Sequence, residues 1–253
     1  MMGGQVLVTA RKWHRLVVFR NLSLKAKMRP FATALLLSLA ACSGQKSPEP
    51  APTATAAIPA GAPVILAFGD SLYAGYRLER GQGYPPRLEA AMNKAGVPVR
   101  VVNAGVSGDT TAAARQRLAF TLDGQPEKPA LVLVGLGGND MLRGLPPAET
   151  RANLDAILAE LQKRQIPAML TGMLAAPNMG ADYARSFNAI YPALAKKYHV
   201  PLVPFFLQPV IGNDKLLLDD HIHPNPQGVD RIVGATEAQV AAALKEAVRA
   251  AHP

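Results

Sequence analysis

From residue 64 onward the chain alternates short apolar runs with longer stretches in which apolar residues return every three or four positions. The runs at 64–68, 99–103, 130–136, 168–173 and 202–205 have the length of strands, and the stretches at 86–95, 110–120, 148–164, 183–198 and 227–250 predict helices. In 148–164 the residues Leu154, Ile157, Leu158 and Leu161 fall on one helical face, which marks core packing. Read as apolar throughout, the five strands are expected to be covered on both faces, as in a parallel sheet. The strand–helix alternation therefore predicts an α/β fold with a five-stranded, doubly wound parallel sheet. In such a sheet the ligand site lies outside the carboxyl ends of the strands.

Upstream of residue 63 the pattern changes. An apolar run from Phe31 to Ala41 follows Met28-Arg29 and ends in Leu39-Ala40-Ala41-Cys42, a small-residue stretch before the only cysteine. The run is short for a bilayer span and reads as a cleaved lipoprotein signal, with Cys42 as the lipidated residue. Met28 makes the more ordinary start, so 1–27 read as an upstream extension. Residues 43–62 are rich in Ala, Pro and Thr and read as an extended tether. The expected organisation is a signal at 1–41, a lipidated cysteine and tether at 42–62, and one domain at 63–253. An exported chain anchored to the cell envelope and facing the periplasm follows, with Ser43 favouring the outer membrane.

Composition changes this picture in two ways. The formal net charge of +9 suggests an anionic partner, yet residues 1–41 hold seven basic side chains and no acidic one, so residues 42–253 carry only +2. No basic run interleaved with aromatics remains, which argues against nucleic-acid binding. A lone cysteine excludes an internal disulfide, so the fold must rest on its core. No oligomer signal stands out, and a monomer is expected.

Each strand end delivers a candidate for chemistry. Ser71 follows the first run in Gly69-Asp70-Ser71-Leu72, Gly108 follows the second, Asn139 follows the third in Gly137-Gly138-Asn139-Asp140, and Asp220 with His223 lies beyond the fifth. Alone, Asp70-Ser71 reads as a helix cap. Four blocks in one order favour a site. A serine hydroxyl needs a base within reach and a group to orient that base. Asp220 and His223, three residues apart on a tight turn, can supply both, the carboxylate taking one ring nitrogen while the other faces Ser71. Acyl transfer also builds an oxyanion, for which the backbone N–H groups of Ser71 and Gly108 and the amide of Asn139 are available donors. Glycine at 108 is expected to allow both a close approach and a backbone conformation that a Cβ forbids. Asp219, Asp220, His221 and His223 could be drawn as a metal site, but a metal would leave Ser71 and Asn139 without a role, so none is expected. A dinucleotide fingerprint fails because Asp140 stands where its third glycine belongs.

These blocks, with Leu142-Arg143-Gly144 and Ile222-His223-Pro224-Asn225, resemble those of the GDSL, or SGNH, hydrolases over 64–250. The bacterial arylesterase, acyl-CoA thioesterase and lysophospholipase branch is the most similar. The resemblance implies a three-layer α/β/α, flavodoxin-like hydrolase of small acyl esters, thioesters or lipids, with no cofactor. It implies Ser71 as nucleophile, His223 as base, Asp220 as its partner, and Gly108 and Asn139 in the oxyanion hole. It also implies that the loop Ala175, Ala176, Pro177, Asn178 and Met179 borders the acyl site. Two alternatives remain: an esterase removing O-acetyl groups from envelope sugars, and a non-catalytic lipoprotein that binds lipid or glycan.

Overall fold

The computed structural model describes residues 58–251. The signal expected at 1–41, the lipidation expected at Cys42 and most of the expected tether fall outside these residues. At the junction Ala62 is buried and donates to the Pro59 carbonyl at 3.1 Å.

Five parallel strands form one sheet: β1 (Val64–Gly69), β2 (Arg100–Gly105), β3 (Leu131–Gly135), β4 (Ala168–Thr171) and β5 (Leu202–Val203). Their order is β2-β1-β3-β4-β5. Winding starts outward from β1 to β2, then reverses toward β3, so the switch lies between β1 and β3. Ser71 and Asn139 follow those two strands. The helices are α1 (Ser71–Ala74), α2 (Tyr84–Lys94), α3 (Thr111–Asp123), α4 (Gly138–Leu142), α5 (Pro147–Lys163), α6 (Ala181–Asn188), α7 (Ile190–Tyr198) and α8 (Pro226–Ala251). Among the described residues no helix is long and apolar enough to cross a membrane.

The core is the sheet's apolar content: β1, β3 and β4 are buried almost without interruption. Strand β2 departs from the expectation of burial on both faces. It is one of the two edge strands, and Arg100 and Asn103 face solvent. The helix expected over 183–198 is two helices that break at Ala189. Pro192 has no N–H to donate to the main-chain carbonyl of Asn188, one turn back, while the Asn188 side-chain Oδ1 accepts from Ala175 N at 2.8 Å. Helix α2 begins two residues earlier than its pattern suggests. Pro85 and Pro86 suit a first turn, where amide hydrogens have no intrahelical acceptor.

Aromatic packing fixes the first crossover. Tyr73, Tyr84 and Phe206 form a buried cluster with centroids 4.8–5.5 Å apart. Tyr84 and Thr236 share a hydrogen bond of 2.8 Å that joins α2 to α8.

Candidate active site

Helix α1 is one turn long and starts where β1 ends. Asp70 caps it by accepting from Leu72 N at 3.1 Å, and Gly75 closes it in the left-handed region. Ser71 therefore occupies the first helical position, at the carboxyl edge of the sheet. Its Oγ lies 2.8 Å from His223 Nε2, and His223 Nδ1 lies 2.7 Å from Asp220 Oδ2. The three residues predicted to act together are brought into one hydrogen-bonded series.

The second carboxylate oxygen of Asp220 accepts the N–H groups of Ile222 and His223, both at 2.9 Å. Burial acts to raise this carboxyl, but the backbone N–H groups of His223 and Ile222, and then the His223 ring, outweigh it and hold the group at about 2. An ionised Asp220 requires a proton on Nδ1, which leaves Nε2 as the acceptor for the Ser71 hydroxyl. His221 and Asp219 do not join a ligand cluster. His221 pairs with Asp214 at 3.0 Å and Asp219 with Arg77.

Gly108 and Asn139 line the same cavity as Ser71 and His223. Among the described residues neither the Ser71 nor the Gly108 N–H donates to another protein group. The Asn139 amide has only a long contact, 3.5 Å, to Asp70 Oδ2. Two donors without a protein partner and one loosely held amide thus line the cavity that takes in the Ser71 hydroxyl. At Gly108 the positive φ of 86° explains the glycine, and among protein atoms an added Cβ would meet only Arg143 Nη2 at 3.8 Å. That guanidinium holds the loop in place by donating to Gly108 O at 2.8 Å.

Buried polar groups support this side of the site. Asp140 Oδ2 accepts from Thr111 N at 2.8 Å, and its Oδ1 accepts from the Thr111 hydroxyl at 2.5 Å and the Thr150 hydroxyl at 3.3 Å. Helices α3, α4 and α5 are thereby joined at one carboxylate. Arg117 donates to Asp109 at 2.6 Å and to Gly69 O at 3.0 Å, with its guanidinium 4.2 Å over the Phe68 ring. Burial pushes the Asp70 carboxyl up to about 7 against the pull of Leu72 N–H, and the carboxylates of Asp109 and Asp140 add to the rise.

The cavity holds about 580 Å³ and is mostly apolar. Ala175, Ala176 and Pro177 line it as expected, but Asn178 and Met179 do not. Pro177 opens a single 3₁₀ turn that points Asn178 outward and returns Met179 to the core. Other walls come from separate loops and short helices: Leu142 and Ile222 stand in stretches that carry the family resemblance, whereas Tyr76, Leu174 and Ile211 carried no signal of a wall. Among the described residues no group of three or more His, Cys, Asp or Glu is placed to hold a metal ion.

A serine, a histidine and a carboxylate in series at the switch point of a doubly wound sheet, beside three N–H donors that line the same cavity, make the site of a serine acyl hydrolase. Comparison with known proteins agrees. A model of the GDSL-like lipase/acylhydrolase family matches residues 67–231, and the chain belongs to that family. Esterase TesA of Pseudomonas aeruginosa is 39% identical over 165 residues, which cover 65% of this chain and 81% of that protein. The thioesterase 1/protease 1/lysophospholipase L1 of Escherichia coli K12 is 40% identical over 166 residues, covering 66% of this chain and 77% of the relative. The crystal structure of AlinE4, an SGNH-hydrolase family esterase, is 57% identical. It matches with a TM-score of 0.62 over 72% of this chain and 97% of its own.

Proposed function

We propose that the protein is a serine esterase that cleaves carboxylic esters or thioesters of short to medium acyl chains through an acyl-enzyme on Ser71. The observation that carries this reading is the Asp220–His223–Ser71 series, 2.7 and 2.8 Å, opening on an apolar cavity of about 580 Å³. The acyl chain lies along the apolar wall. His223 takes the Ser71 proton as Oγ bonds to the acyl carbon, and Asp220 stabilises the resulting imidazolium. The carbonyl electrons move to oxygen, where the N–H groups of Ser71 and Gly108 and the Asn139 amide receive the charge. His223 then gives its proton to the departing alcohol or thiol. Water repeats the sequence, releasing the acid and restoring the serine.

The test is hydrolysis of p-nitrophenyl esters from acetate to palmitate by the full chain and by Ser71→Ala. A serine-dependent optimum at short to medium chains is expected, with the variant slower by on the order of 10³-fold or more. Cleavage of acetate alone would turn the reading toward a sugar deacetylase, and no cleavage toward a binding protein.

The ending Ala40-Ala41-Cys42 supports a second part of the proposal, that the chain is exported and held at the envelope by a lipid on Cys42. Cys42→Ser is then expected to move the protein from the membrane to the soluble fraction without loss of turnover. Retention at the membrane would remove the anchor.

A further inference from the structure

We infer that Arg77 and Asp219 are a positioning pair that fixes the acid–base loop against the serine's helix, in an enzyme acting as proposed above. The loop at residues 217–224 is rigid within itself. Leu217 and Pro224 pair as an isolated antiparallel bridge, Leu218 N donates to His223 O at 2.8 Å, and His221 N donates to Leu218 O at 3.0 Å. Its ties to the rest of the site are few. Among the described residues only two side-chain pairs hydrogen-bond it to the segment that carries Ser71: His223 with Ser71, and Arg77 with Asp219. A rigid loop on two stems can move as a unit, so the second tie decides where His223 rests when the first is broken during the reaction.

The Arg77 guanidinium grips both carboxylate oxygens of Asp219, Nη1 to Oδ1 at 2.5 Å and Nη2 to Oδ2 at 3.2 Å. Such a fork fixes direction as well as distance. Arg77 holds a φ of 58°, in the left-handed region that residues with a Cβ seldom adopt, and so turns its side chain to the loop. The preceding Tyr76 lays its ring against His223, with centroids 4.5 Å apart. Two successive residues thus touch Asp219 and His223, the members of the loop on either side of Asp220, His221 and Ile222. Both partners of the ion pair are well exposed, with side-chain exposures of 50% and 73%, so the pair adds little to global stability. Its contribution is to the position of the ring.

The test is a double-mutant cycle in the full chain: Arg77→Ala, Asp219→Ala and both together, assayed on the ester that the wild-type protein cleaves best. Each single change is expected to lower kcat roughly three- to fivefold, the most that an exposed ion pair can bias the position of the ring, with KM within about twofold. The double variant is expected to be no slower than the singles. Asp219→Asn, which keeps the side-chain shape, is expected to lose as much as Asp219→Ala, so a folding defect in the alanine variant cannot hide the result. Single variants within twofold of wild-type kcat, losses that add in the double variant, or a change confined to KM would each overturn the pairing. A wild-type protein that cleaves no ester would instead overturn the esterase reading beneath it.

Discussion

The two halves of the site are built on opposite terms. Ser71 and its neighbouring donors rest on buried polar groups: Asp140 on Thr111 and Thr150, Arg117 on Asp109 and Gly69 O. Asp140 is 1% exposed, and breaking its contacts would strand donors away from water. His223 and Asp220 instead ride on a surface loop fixed by its own turns and by an exposed ion pair. The half that receives charge is determined by the fold, while the half that moves the proton is fastened to it. Disturbing the first should therefore register in stability, and disturbing the second in rate.

Asp220→Asn presses this contrast hardest. The amide oxygen can still accept from Ile222 N and His223 N, so the turn survives, but the charge that sets the His223 tautomer is gone. Turnover of the best ester is expected to fall on the order of 10³- to 10⁴-fold, while the melting midpoint moves by no more than about 3 °C. Calorimetry alongside kcat checks both. A large drop in midpoint would mean that the loop is part of the folded core, and the contrast would fail.

The sequence shows these halves unequally. The five strands and the four blocks at their carboxyl ends are legible because each depends on a short contiguous pattern: an apolar run followed by Gly, Asp, Asn or Ser. Edge position is not local, so β2 reads as buried until its place at the sheet margin exposes Arg100 and Asn103. The break at Ala189 has a local cause in Pro192, but the apolar spacing on both sides hides it. Networks are the least legible, since Asp140 meets Thr111 across 29 residues and Arg77 meets Asp219 across 142. Cavity walls such as Leu174 and Ile211 stand in irregular segments where apolar residues have no period to follow. Asp70 directly follows a wholly apolar strand, a position that fits the helix cap it forms and also its burial at 3% exposure.

Asp70 supplies the finer test of the buried half. Its folded carboxyl, pushed up to about 7 by burial with help from Asp109 and Asp140, differs from its ordinary value of 3.8 in the unfolded chain. Below 3.8 both states hold the proton and folding is unaffected by it. Between 3.8 and about 7 the unfolded chain releases the proton while the folded chain keeps it, so stability falls as pH rises and levels off above that window. Asp70→Asn keeps an oxygen for Leu72 N and removes the titration. Relative to wild type, the variant is expected to gain roughly 2–3 kcal/mol of stability between pH 5 and pH 8, read from urea midpoints at the two values. A gap that stays constant with pH would mean that Asp70 is ionised in the folded protein. The Asn139 amide would then lie 3.5 Å from a fixed negative charge, which would compete with the oxyanion for its N–H and oppose the build-up of charge in this half of the site.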